Sequence, residues 1–84
     1  MTIKLLYFAS LRETLGTGGE EMTLPGDVSN VAGLKALLAA RGDVWRTLTQ
    51  SQSLRAAVNQ KMAGPEAAIS DGDEVAFFPP VTGG

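Results

Sequence analysis

The chain opens on a short apolar run, Ile3 to Phe8, broken by a single charge at Lys4. Short, apolar, aromatic-rich segments favour strands. Alternation places Ile3, Leu5 and Tyr7 on one face and Lys4, Leu6 and Phe8 on the other. The charge on Lys4 turns that second face outward. Ala9 to Leu15 carries Leu11 and Leu15 at helical spacing, which predicts a short helix or turn. Gly16-Thr17-Gly18-Gly19 predicts a loop tip. Glu20 to Leu24 predicts a second strand, with Met22 and Leu24 inward and Glu21 and Thr23 outward. Pro25-Gly26-Asp27 ends it.

Val31, Leu34, Leu37, Leu38 and Arg41 then recur at intervals of three and four, the stripe of one strong helix. Asp27 or Ser29 is its expected N-cap, and Gly42 its expected C′ residue. The apolar side of this helix must cover a sheet. Val44, Trp45 and Leu48 predict a further helical turn, with Trp45 packed in the core or at its rim. Leu54 to Val58 predicts a third strand, Leu54, Ala56 and Val58 facing away from Arg55 and Ala57. Asn59-Gln60 predicts a turn and Lys61-Met62 a short return strand. Ser70-Asp71-Gly72-Asp73 is a turn signal. Glu74 to Phe78 is the last strand, Val75 and Phe77 on one face, Glu74, Ala76 and Phe78 on the other. Pro79-Pro80 stops it, since neither can donate to a ladder. The fold class expected is α+β: a roll with one main helix packed across one face of a mixed sheet. Residues 1–80 form the domain and 81–84 a tail.

Composition narrows the function. The chain has 84 residues, 44% hydrophobic and 19% charged, which is ordinary for one globular domain. A domain this small buries only about 60–65% of its unfolded surface, enough for a small core but not for a large enclosed active site. The net charge of −2 leaves no electrostatic footprint for nucleic acid. With 0 Cys and 0 His, no disulfide, thiol nucleophile or Cys-rich metal site is available, and the commonest acid–base side chain is missing. No apolar run approaches the roughly 20 residues of a membrane helix. The first residues also lack the pattern of a signal peptide. A cytoplasmic protein is expected.

The remaining side chains offer little chemistry. Asp71, Asp73 and Glu74 cluster as a cation site would, but the calcium-loop pattern is absent and a turn wants Asp and Gly for backbone reasons. Ser10, Thr14, Ser29 and Ser53 have no His to activate them. Lys61 reads as a solvated amine. The glycines at 16–19 lack the Lys-Ser/Thr of a phosphate loop. No metal and no permanently bound cofactor are expected.

The carboxyl end is different. Val81-Thr82-Gly83-Gly84 follows two stiff prolines. Glycine lacks Cβ, so such an end threads a narrow channel. Four residues past Pro80 reach roughly 13 Å, enough to enter a partner's active site. An α-carboxylate is an anion at neutral pH and a poor electrophile, so an activating enzyme must act in trans. Strand parity adds a second clue. Phe8 shares a face with Lys4, and Phe78 with Glu74. If those charges face solvent, Phe8 and Phe78 lie on the outer face with Leu6 and Ala76, an apolar docking patch with Arg12 at its rim. Coverage of Phe8 by the Ala9–Leu15 segment would remove that patch.

The run Asp71-Gly72-Asp73-Glu74-Val75-Ala76-Phe77-Phe78-Pro79-Pro80-Val81-Thr82-Gly83-Gly84 resembles the carboxyl end of the MoaD family, the ubiquitin-like sulfur-carrier small subunits of molybdopterin synthase, grouped with ThiS. Leu5-Leu6-Tyr7-Phe8-Ala9 with Arg12-Glu13, and Ala56-Ala57-Val58-Asn59-Gln60, resemble its first and third strands. The resemblance covers essentially the whole chain and implies a β-grasp fold. It implies that Gly84 is adenylated by a MoeB-type, E1-like enzyme using ATP in trans. A sulfur donor protein then converts the adenylate to a thiocarboxylate. The tail would enter a MoaE-type large subunit and donate sulfur to cyclic pyranopterin monophosphate in molybdenum cofactor biosynthesis. It implies a heterotetramer with no catalysis by the small subunit alone. Gly83 and Thr82 would form the tail passage. Phe8, Arg12, Phe78, Pro79, Pro80 and Val81 would contact partners. Three alternatives stand beside it: a thiamine-pathway carrier, a ubiquitin-like modifier joined to lysines, and an interaction module with an incidental tail.

Overall fold

The computed structural model describes residues 1–50 and 54–79. Five strands form one sheet: β1 (Thr2–Tyr7), β2 (Gly19–Thr23), β3 (Arg55–Val58), β4 (Lys61–Ala63) and β5 (Glu74–Phe78). Their spatial order is β2-β1-β5-β3-β4. The central pair, β1 and β5, is parallel, and every other pairing is antiparallel. A parallel pair needs a long crossover. Here the crossover includes the main helix α2 (Val31–Ala39), and the short helix α1 (Ala9–Leu15) lies between β1 and β2. A 3₁₀ turn, Asp43–Arg46, and one helical turn, α3 (Thr47–Gln50), complete the layer.

The core follows the predicted parity. Ile3, Leu5 and Tyr7 of β1 and Val75 and Phe77 of β5 are fully buried. Val31, Leu34 and Leu38 of α2 meet them, with Leu48 of α3 beside them. A buried leucine contributes about 1.5–3 kcal/mol, so this small set carries the fold. Leu11 and Leu15 turn the apolar side of α1 into the same core. Trp45 packs against the core while partly buried, its ring edge-on to Tyr7 at 5.6 Å between centroids. At the helix side of the sheet Arg41 forks onto Glu20 at 2.8 and 2.9 Å and stacks over Trp45. The Tyr7 hydroxyl donates to the same carboxylate at 3.2 Å. Burial, and then the Glu20 carboxylate, hold the Tyr7 phenol well above its usual range.

Several local expectations are corrected. The N-cap of α2 is Asn30, not Asp27 or Ser29; its side chain accepts from the Gly33 amide at 2.8 Å. The Val31 and Ala32 amides donate instead to the carbonyls of Ala67 and Pro65. The segment after β4 thus satisfies helix donors that would otherwise lack partners. Gly42 has the expected positive φ, +80°, but α2 ends at Ala39 with Ala40 as C-cap, so Gly42 lies one position beyond C′. Phe8, Leu24 and Leu54 fall one residue outside their strands, and Ala63 joins β4. The Asp71–Glu74 turn is structural. Asp71 accepts from the Thr2 amide, and Asp73 from the Asn59 side chain and the Ser70 amide. Among the described residues no helix is long and apolar enough to cross a membrane.

Candidate functional site

The parallel pairing of β1 and β5 brings two aromatic residues to one end of the sheet. The register matches Lys4 with Glu74, Leu6 with Ala76 and Tyr7 with Phe77. Beyond it the Phe8 amide donates to the Phe77 carbonyl at 3.2 Å. Both strands run toward this end, so Phe8 and Phe78 stand where the last strand hands over to Pro79. Phe8 is 47% exposed, and Phe78 and Pro79 are half-buried. The segment after Phe8 does not cover it. Ala9 takes a left-handed φ of +53°, turning the chain out of the strand into α1, whose leucines then point inward. That conformation is strained for a residue with a Cβ, by about 1–2 kcal/mol.

The rest of the outer face follows from register. One row crosses the sheet through Gly19, Leu6, Ala76, Ala57 and Met62. Leu6 is half-buried, and Ala76 is only 8% exposed, shielded between its neighbours rather than displayed. The expectation that Ala76 joins the exposed patch is therefore corrected: it is the floor. The sequence pattern does not mark Met62 as a site residue, yet it is 66% exposed and is the most prominent apolar side chain of the face. Its signal lay in the β3–β4 register, which a three-residue strand does not reveal by alternation. The far end of the face is charged: Lys4 stands between Glu21 and Glu74.

Arg12 is exposed on α1, its guanidinium lying over Gly18 at the flank of the aromatic pair. Arg55, on the opposite flank, pairs directly with Phe78 in the β3–β5 register. Pro80, Val81, Thr82, Gly83 and Gly84 lie outside the described residues, as does Ser53. Among the described residues no three His, Cys, Asp or Glu side chains are placed to hold a metal ion. The described site holds no nucleophile–base pair. It is an apolar face with cationic flanks at the end of β5.

A mixed sheet in the order β2-β1-β5-β3-β4 with a helix across one face, and an apolar outer face at the end of β5, defines a ubiquitin-like β-grasp domain. The chain belongs to the ThiS family, whose profile matches residues 5–84. It is 45% identical over 82 residues to the molybdopterin synthase sulfur carrier subunit of Escherichia coli, covering 98% of this chain and 99% of that protein. Among solved structures it resembles SAMP1 from Haloferax volcanii, with 25% identity, a TM-score of 0.78 and full coverage of both chains. It also resembles one chain of the complex of subunits 1 and 2 of the molybdopterin-converting factor from Helicobacter pylori, with a TM-score of 0.68 and full coverage of both chains. At 18% identity that last likeness shows the fold alone.

Proposed function

We propose that this chain is the sulfur carrier of a molybdopterin synthase, with the carboxyl group of Gly84 as its working group. The observation that carries the reading is the end of β5, where half-buried Phe78 and Pro79 close a central strand beside exposed Phe8, in a chain whose near-full-length relative in Escherichia coli is named a sulfur carrier subunit.

Each part has a chemical role. The α-carboxylate is inert until activated. An E1-like, MoeB-type enzyme joins it to AMP from ATP with loss of pyrophosphate. The terminal sulfur of a donor protein's persulfide then attacks the acyl carbon and expels AMP, and a second thiol cleaves the resulting acyl disulfide, leaving a thiocarboxylate on Gly84 and a disulfide on the thiol side. The domain supplies no acid, base or nucleophile to these steps. It supplies an address: the apolar face docks, and the stiff Pro79-Pro80 root aims Val81, Thr82, Gly83 and Gly84 into the partner. In a MoaE-type large subunit the sulfur passes to cyclic pyranopterin monophosphate. Phe8, Phe78, Pro79 and Met62 form the contact, with Arg12 at its rim.

Deleting Gly83 and Gly84 tests the reading in a reconstituted synthase with large subunit, activating enzyme, ATP and sulfur source. Molybdopterin formation is expected to vanish while thermal stability is kept, because the core cluster of the described residues runs from Ile3 to Phe77. Full activity of the shortened chain would overturn the proposal.

A further inference from the structure

The outer face does not end at β4. Around the β3–β4 edge a groove of about 500 Å³ opens between that hairpin and α2. Its walls include Leu54, Met62 and Pro65, with Lys35 of α2 and Arg55 of β3 as the two charges. Among the described residues its lining contains no carboxylate. Glu66, the next residue after Pro65, lies beyond the lining. An all-cationic pair is notable in a chain of net charge −2.

Two residues belong to both surfaces. Met62 ends the apolar row of the outer face and also walls the groove. Arg55 stands opposite Phe78 and also walls the groove. A protein that covers Phe78 closely therefore covers Arg55 as well. Burying a guanidinium without a countercharge is strongly unfavourable. A partner on the outer face must bring a carboxylate to Arg55, and the groove offers a second cation, Lys35, across its width.

We infer that the docking surface wraps around the β3–β4 edge, and that an acidic segment of the large subunit fills the groove against Arg55 and Lys35. The inference takes its partner from the sulfur-carrier reading above. The apolar walls receive the segment's nonpolar side chains, and the two cations fix its register. Covered charge pairs of this kind act on affinity as well as on association rate and salt dependence.

The test measures binding of the purified large subunit to the full chain and to Lys35→Glu, Arg55→Glu and Lys4→Glu, at low and high salt. Thermal melting first establishes that each variant is folded. Either groove reversal is expected to weaken binding at low salt by about tenfold or more and to flatten its salt dependence, with Lys4→Glu within about twofold of the parent. Carbodiimide coupling of the native complex is expected to join the Lys35 amine to a carboxylate of the large subunit. Parent-like binding by Lys35→Glu, with no such crosslink, overturns the groove while leaving the carrier reading intact. Failure of the unaltered chain to bind the large subunit overturns both.

Discussion

The Phe8 amide donates to the Phe77 carbonyl at 3.2 Å, one step past the last paired residues of β1 and β5. This bond ties the exposed Phe8 ring to the strand from which the glycine-ended segment departs. The ring itself contributes little to the core, being 47% exposed. Phe8→Ala is therefore expected to change stability by less than about 1 kcal/mol. It should weaken large-subunit binding by about 2 kcal/mol or more, as truncation of an aromatic anchor does. Calorimetric titration with parallel melting curves separates the two effects. A variant that loses several kcal/mol of stability, or one that binds as tightly as the parent, would contradict the placement of Phe8.

Gly19 makes an opposite prediction, a large effect on folding from one methyl group. It opens β2 opposite Leu6, and a Cβ there would collide with the Leu5 carbonyl oxygen and press on the Leu6 side chain. The backbone oxygen of a central strand cannot move aside cheaply. Gly19→Ala should destabilise by about 1–3 kcal/mol, measured by urea unfolding. Gly26→Ala, with open space around its position, is the control and should be near neutral.

Acid should loosen the fold. Hydrogen bonds from Arg41 hold the Glu20 carboxyl below its ordinary pKa. The Asn59 side chain, then the Ser70 amide, do the same for Asp73. Both pKa values are lower folded than unfolded, so the unfolded chain binds more protons in acid. The stability these groups supply is complete above their unfolded pKa values of about 4 and is lost as pH falls through the folded ones. Melting temperature should be level from neutral pH down to about pH 5.5 and fall below about pH 4.5. Glu20→Gln should be less stable at neutral pH and show a shallower fall. A melting temperature that rises toward acid would contradict these assignments.

The elements and their faces were legible because the apolar periods are clean: Ile3, Leu5 and Tyr7 against Lys4, and Val31, Leu34 and Leu38 along α2. What the pattern missed depends on distant chain segments. The expected caps, Asp27 and Ser29, stand within three residues of the actual one, Asn30. The approach of Pro65 and Ala67 to the start of α2 accompanies the one that caps it. The Arg41–Glu20 pair joins residues 21 apart, which no local period encodes. Met62 became visible as a site residue only once β4 was set in register on β3. The aromatic outer face was readable from parity. The sulfur chemistry was not: Gly-Gly by itself says little, and the longer Phe77–Gly84 run speaks through family resemblance rather than physics.

The most direct test of the carrier account is intact mass measurement after incubation with the MoeB-type enzyme, ATP and a sulfur source. The account predicts a gain equal to exchanging one oxygen for one sulfur, located by fragmentation to Gly84. An unchanged mass, with the same enzyme shown to be competent on a control carrier, would contradict it.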